Sequence, residues 1–208
     1  MGRKEDEIAR FLMLKEYDRR FTKGNTLPLA GVDEVGRGSL CGPVVAAAIV
    51  LPSDFFLPGV DDSKRLSANK REALFKGILD GALCWAIGAV PPDEIDRLNI
   101  KKAAEKAMGQ AVLSLKMNPA LVLVDGFPIP ELPFPQLPII DGDERSLTIA
   151  AASIVAKVVR DRMMVYYHRR YPYYDLIHNK GYGTRRHFMA LKKRGPSPIH
   201  RLSFNLRG

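Results

Sequence analysis

No apolar run in this 208-residue chain approaches the roughly 20 residues that cross a bilayer, so a helical membrane protein is not expected. The opening residues, Met1-Gly-Arg-Lys-Glu-Asp-Glu7, carry acids where a secretory leader has an apolar core, and they lack the Ser or Thr of a myristoylation site. Cysteine is scarce. Cys41 and Cys84 are too few for a disulfide framework and stand in apolar surroundings, which suits a reducing cytoplasm. His168, His178, His187 and His200 show no zinc-ligand spacing with one another or with a cysteine. There is no Gly-x-Ser-x-Gly elbow, and Gly36-Arg-Gly-Ser-Leu-Cys41 lacks the third glycine of a dinucleotide loop and precedes a strand. Internal repeats and low-complexity segments are absent as well.

Acidic residues are missing from one long stretch. The chain has a formal net charge of +9, with 32 Lys and Arg against 23 Asp and Glu. Eight of those bases lie between Leu176 and Gly208, namely Lys180, Arg185, Arg186, Lys192, Lys193, Arg194, Arg201 and Arg207, and no acid accompanies them. The remainder, 24 bases against 23 acids, is almost neutral. The basicity is therefore a C-terminal patch, the footprint of a surface that meets a polyanion.

What is present, against this background, is an adjacent carboxylate pair. Asp33-Glu34 follows the apolar run from Leu29 and is followed at once by Gly36-Arg37-Gly38. Two neighbouring carboxylates repel, so their placement at a buried strand end is unfavourable unless a cation offsets them. The glycines allow close approach of the main chain, and the arginine suits a phosphate. Asp125 and Asp143 share this context, each bordering an apolar run and a glycine. Four such acids could ligate hard cations such as Mg²⁺ or Mn²⁺, which take carboxylate oxygens and leave positions to water and phosphate. Singly, the same acids also read as turn formers, as Asp-Gly at 125–126 and 141–142 illustrates.

The pattern of elements predicts an α/β protein with a mixed central sheet flanked by helices. An amphipathic helix is expected over 5–21, then a linker at 24–28. The apolar runs 29–33 and 44–51 read as an antiparallel pair with the Gly-Arg-Gly loop near their turn. Ser67 caps a helix over about 68–80, and 82–90 reads as a strand. Residues 93–115 form one or two helices with Asn99 as a cap between them, and 120–125 is a short buried strand ending in an acid. Five prolines, at 128, 130, 133, 135 and 138, mark 127–138 as an extended loop. A long helix runs from Thr148 to about Arg170, and a last one spans 184–194. Residues 1–175 are expected to form one domain that carries the acids, with 176–208 packed on it as a basic, polyanion-facing segment in one structural unit.

Two further groups keep two readings each. Ser63 and Lys64, within Asp61-Asp62-Ser63-Lys64-Arg65-Leu66-Ser67, offer donors to a phosphate or form a plain capped helix entry. Tyr182, held between Gly181 and Gly183, stacks on a base or sugar or packs a turn against the core.

Taken together, the chain resembles the type 2 ribonuclease H family, of the bacterial ribonuclease HII kind, over nearly its whole length. The resemblance rests on Gly31-Val-Asp-Glu-Val-Gly-Arg-Gly-Ser-Leu-Cys-Gly-Pro-Val-Val-Ala-Ala-Ala48, Asp62-Ser-Lys-Arg-Leu-Ser67, Leu123-Val-Asp-Gly126 and Gly142-Asp-Glu-Arg-Ser146. It continues through Ile149-Ala-Ala-Ala-Ser-Ile-Val-Ala-Lys157, Lys180-Gly-Tyr-Gly-Thr184 and Gly195-Pro-Ser-Pro-Ile-His-Arg-Leu-Ser-Phe204. It implies a ribonuclease H-like fold and a cytoplasmic, monomeric endonuclease acting on RNA–DNA hybrids and on ribonucleotides embedded in duplex DNA. Cleavage on the 5′ side of the ribonucleotide would leave 3′-hydroxyl and 5′-phosphate ends.

The resemblance implies that Asp33, Glu34, Asp125 and Asp143 hold two Mg²⁺ or Mn²⁺ ions. Asp143 is preferred over Asp141 and Asp161. Gly36, Arg37 and Gly38 match the family's reader of the ribose 2′-hydroxyl, Tyr182 its stacking tyrosine, and Ser63 and Lys64 its phosphate contacts. Asn179 stands where the family usually has His, with His178 one residue displaced, and no role is carried to either. The four residues after Phe204 leave no room for the C-terminal helical extension that some relatives carry.

Overall fold

The structure, a computed structural model, describes residues 2–22 and 27–208. Residues 24–26 of the expected linker lie outside the described residues. After helix α1 (Gly2–Arg19) the chain enters strands β1 (Leu29–Val35) and β2 (Val44–Val50), which pair antiparallel with Val35 opposite Val45. Helix α2 (Ala68–Gly81) leads to β3 (Cys84–Val90), antiparallel to β2. Helices α3 (Pro92–Leu98) and α4 (Ile100–Leu113) precede β4 (Leu121–Asp125), which lies parallel to β1. Strand β5 (Gln136–Ile139) then adds parallel to β4, giving the sheet order β3-β2-β1-β4-β5. Helix α5 (Leu147–Arg170) and the shorter α6 (Leu176–Asn179) and α7 (Arg185–Arg194) complete the chain.

Helices cover both faces of the sheet, which explains why β2 reads as seven uninterrupted apolar residues, all buried. Val44, Ala46, Ala48 and Val50 pack toward α3 and α4, whereas Ala47 and Ile49 meet α5, α1 and α2. The first half of α5 is almost entirely small and buried, so it lies close on the sheet. Gly31 of β1 marks the closest approach: a Cβ there would fall 2.3 Å from the backbone carbon of Thr148. Ser146 caps α5 by accepting from the Ile149 N–H at 3.2 Å, and Asp18 of α1 accepts from the Thr148 N–H at 2.9 Å, which docks α1 on the start of α5.

The expected caps hold at Ser67 and Asn99, and α7 has a cap of the same kind. Ser67, Asn99 and Thr184 each accept a hydrogen bond from the first turn of the helix that follows. The proline-rich segment differs from expectation, because 127–138 is not loop throughout. Its last three residues, with Ile139, form β5, where Pro138 lies opposite Val124 on the outer strand of the sheet, a place where a missing N–H is tolerated.

Two glycine substitutions separate close approach from mere flexibility. Gly31→Ala should destabilise by about 1–3 kcal/mol or more through overpacking of β1 against α5. Gly109→Ala, inside α4 and 3.5 Å from the nearest Ile129 methyl, should stabilise by about 0.5–1 kcal/mol. Urea midpoints of the two variants and wild type check both signs.

Candidate active site

The acids are carried by the two central parallel strands. The pairing of Val32 with Val124, continued one step, sets Asp33 beside Asp125, the last residue of β4. One carboxylate oxygen each from Asp33, Glu34 and Asp125 lie within 4.8 Å of one another. Asp143 joins from the turn after β5: the Gly142 N–H donates to Asp125 Oδ1 at 2.7 Å, and Asp143 is 3% exposed. The Glu34 N–H donates to Asp33 Oδ1 at 2.7 Å, and Asp33 takes a further hydrogen bond from Ser153 on α5.

Burial, and then the mutual charge of Glu34 and Asp125, push the Asp33 carboxyl well above the usual carboxylate range. Burial likewise raises Glu34, against the pull of Arg37, and raises Asp125, with the charge of Asp143 adding to it. An all-oxygen donor set that is desolvated and self-repelling fits a hard divalent cation, whose charge would offset what the fold leaves unbalanced.

Two cations already touch the row. Arg37 lies 3.4 Å from Glu34, and the Lys64 ammonium lies 3.1 Å from Asp143 Oδ2. Burial opposes the Lys64 charge, but the hydrogen bond and charge of Asp143, with Asp62 and Asp33, carry its pKa upward. Asp62 is a fifth acid at this end. It is buried, accepts from the Lys64 N–H at 2.9 Å, and has its carboxyl raised by burial and by the charge of Asp143. No role was assigned to it from sequence, although its place just before Ser63-Lys64 was the available signal. Ser63 itself faces inward: it is buried, and its hydroxyl meets Ser153 Oγ at 2.9 Å, so the side chain supports the Asp33 face and does not point outward toward a phosphate. Of the rival acids, Asp141 is exposed in a left-handed turn and Asp161 pairs with Lys157 at 2.8 Å.

The loop from Gly36 to Pro43 is held by two fully buried arginines, neither of which has a carboxylate partner in an ion pair among the described residues. Arg160 donates to the carbonyls of Pro43 (3.0 Å), Cys41 (3.2 Å) and Lys180 (2.9 Å). Arg201 donates twice to Gly42 (3.1 and 2.9 Å) and once to Arg37 (2.9 Å). Gly36 has φ +98°, and a Cβ there would lie 2.2 Å from Arg160 Nε, so glycine is required on both counts. A Cβ on Gly38 would lie 3.9 Å from the Tyr182 ring, which the Arg160 guanidinium approaches at 5.7 Å and which stays 38% exposed. The structure thus brings Gly36, Arg37, Gly38 and Tyr182 onto one ledge. Arg201, counted among the bases of the C-terminal patch, is a core cation; Arg185, Arg186, Lys192, Lys193, Arg194 and Arg207 are exposed.

Beneath Tyr182 lies a cluster that spacing along the chain did not reveal. Cys41, His187 and His200 come within 4.8 Å of one another and form a second group able to hold a cation. Their hydrogen bonds are already committed. The Ser197 N–H donates to His200 Nδ1 at 3.0 Å, which leaves His200 Nε2–H to donate to His187 Nε2, also at 3.0 Å. His187 Nδ1–H then donates to the Tyr182 carbonyl at 3.0 Å. Burial pushes the Cys41 thiol up to about 12, lowers His187, and with the charge of His187 takes His200 down to about 4. This reads as a neutral brace for the Tyr182 turn. Asn179 braces the same turn, donating to the Tyr174 carbonyl at 2.6 Å and accepting from the Gly181 N–H at 2.8 Å, while His178 is exposed beside Asp175.

A mixed sheet in the order β3-β2-β1-β4-β5, with acids on its two central parallel strands, is the architecture of the ribonuclease H-like hydrolases. The comparisons narrow that class. The family model for ribonuclease HII matches residues 30–207. Ribonuclease HII of Caldanaerobacter subterraneus subsp. tengcongensis is 48% identical over 200 residues, covering 96% of this chain and 83% of that protein. Ribonuclease HII of Syntrophobacter fumaroxidans is 53% identical over 205 residues, covering 98% and 87%. Among solved structures, ribonuclease H2 from Pyrococcus horikoshii superposes with a TM-score of 0.73 at 27% identity, covering 87% of this chain and 95% of that one. The chain belongs to the ribonuclease HII family and is an enzyme that hydrolyses RNA in RNA–DNA hybrids.

The histidine brace gives a pH dependence of fixed sign. Both imidazoles are held below their ordinary 6.5, so the unfolded chain takes up their protons first as pH falls. The stability they contribute is complete above 6.5 and is lost on the way down toward about 4. His200→Gln should flatten that part of the profile, so its urea midpoint should differ from wild type most near neutrality and converge with it on the acid side.

Proposed function

We propose that the enzyme cuts on the 5′ side of ribonucleotides, in RNA–DNA hybrids and singly embedded in duplex DNA, leaving 3′-hydroxyl and 5′-phosphate ends. The observation that carries this reading is the meeting of desolvated carboxylates with the Gly36–Gly38 loop on one ledge. Asp33, Glu34, Asp125 and Asp143 would hold two Mg²⁺ or Mn²⁺ ions. Such ions, when bound, lower the pKa of an attacking water and stabilise the departing 3′-oxygen.

The chain's own groups orient the substrate around them. The exposed backbone of Gly38, freed of a side chain, would meet the ribose, with buried Gly36 shaping the turn behind it against Arg160, and the 2′-hydroxyl is what separates RNA from DNA at a given position. Arg37 stands between that ribose and Glu34, able to exchange its carboxylate contact for a phosphate. Tyr182 offers a ring face to the following sugar, backed by Arg160. Residues 176–208 act as the duplex-binding segment through their exposed bases, and the protein works as a cytoplasmic monomer.

A binding module without chemistry, and a ribonuclease H-like nuclease that cuts plain DNA, are the competing readings. Matched duplexes with and without one ribonucleotide, each with and without Mg²⁺, discriminate among the three. Cutting of the ribonucleotide duplex alone, and only with metal, is expected. Asp125→Asn keeps an oxygen for the Gly142 N–H but loses the charge, and cleavage should fall roughly 10²–10³-fold, the scale of losing one transition-state-stabilising group. An unchanged rate would remove Asp125 from the site. Tyr182→Ala should weaken binding to the ribonucleotide junction roughly tenfold, the scale of a lost stacking contact. Equal rate and junction preference in that variant would reject the stacking role.

A further inference from the structure

The acids of the site are offset unequally at their two ends. Glu34 is met by Arg37 at 3.4 Å, a contact made by an exposed side chain whose own carbonyl is bolted by Arg201. At the other end Asp143 is met by Lys64 at 3.1 Å, the one ion-pair partner Asp143 has among the described residues. The Lys64 side chain is 79% exposed while that of Asp143 is 5% exposed, so a solvated arm reaches in to touch a buried carboxylate.

The base of that arm is rigid. Asp62 accepts from the Lys64 N–H, the Ser63 carbonyl accepts from Arg71 at 2.8 Å, and the Ser63 hydroxyl is pinned to Ser153. Only the four-carbon stem is free to move. Asp62 and Asp33 lie close enough to add their charge to the attraction. An ammonium so placed satisfies a desolvated carboxylate with a single mobile charge, and Asp143 is one of the carboxylates that would ligate a divalent ion.

We propose that Lys64 is the resident counter-ion of the metal-free site: its ammonium occupies the Asp143 end of the carboxylate row, competes with the divalent cation for Asp143, and is displaced when the cation binds. The inference rests on the carboxylate reading given under Proposed function. It makes the metal affinity of the free enzyme weaker than the carboxylates alone would give. Cation entry becomes an exchange in which a monovalent side chain leaves as a divalent ion arrives.

The test is a calorimetric titration of Mn²⁺ into the full chain without nucleic acid, comparing wild type, Lys64→Met, Arg65→Met and Asp125→Asn. Arg65, one residue along, is exposed and lies 3.7 Å from Asp61, so its removal changes net charge equally without touching Asp143. Lys64→Met should bind Mn²⁺ about two- to fivefold tighter than wild type, the factor expected for losing a half-exposed ion pair that competes for the ligand. Arg65→Met should match wild type. Affinity unchanged or weakened in Lys64→Met overturns the proposal, as does an equal gain in both variants, which would report only the general field. Asp125→Asn should bind more weakly; if it binds Mn²⁺ as wild type does, the carboxylate reading itself fails and the competition with it. Failure of Lys64→Met beside a weakened Asp125→Asn overturns the competition alone. Circular dichroism of each variant confirms that the folded protein is being titrated.

Discussion

Like-charge crowding is the constraint around which this protein is built. Asp33, Glu34, Asp125 and Asp143, with Asp62 at one end, are gathered where water cannot screen them, and burial raises the carboxyls of Asp33, Glu34, Asp125 and Asp62. The fold answers with small, local compensations. Backbone N–H groups of Glu34 and Gly142 donate to the row, Ser153 reaches it from α5, and two long basic side chains touch its ends. None of these is a fixed, buried counter-charge. A neutralising residue such as a buried arginine among the acids would settle the repulsion permanently and leave nothing for a cation to do.

The buried guanidiniums are placed elsewhere. Arg160 and Arg201 spend their donors on carbonyls of the 37–43 segment and of Lys180, and so convert a glycine-rich stretch, inherently loose, into a fixed ledge. The small core of Leu40, Cys41, Met164, Tyr174, Leu176, Leu191 and Ile199 encloses the same ledge. Repulsive and attractive electrostatics are thus kept apart in space: the acids sit at the strand ends, and the cations sit behind the loop.

Much of this was legible in the chain. Asp33 and Asp125 announced themselves as acids after apolar runs, and the caps Ser67 and Asn99 announced their helices, because both signals are local. Elements defined by partners were not legible. Strand β5 exists because β4 offers it an edge, and its proline content argues against a strand when read alone. Arg201 looked like one more base in a basic tail, since nothing in its neighbours reports that Gly42 and Arg37 will supply carbonyls from about 160 residues away. Cys41, His187 and His200 escaped for the same reason, being brought together by three separate segments. The two readings of Ser63, a phosphate donor or part of a helix entry, stayed open in the chain because the hydroxyl of Ser153, its partner, lies 90 residues on.

The position of the two arginines along the chain has a consequence for synthesis. The carboxylates are encoded by residue 143, but the ledge that would tell RNA from DNA is locked only by side chains at 160 and 201. A nascent polypeptide leaving the ribosome amino end first therefore contains all four acids before the loop beside them can take its shape. The shape of that loop waits on residues made well after the acids.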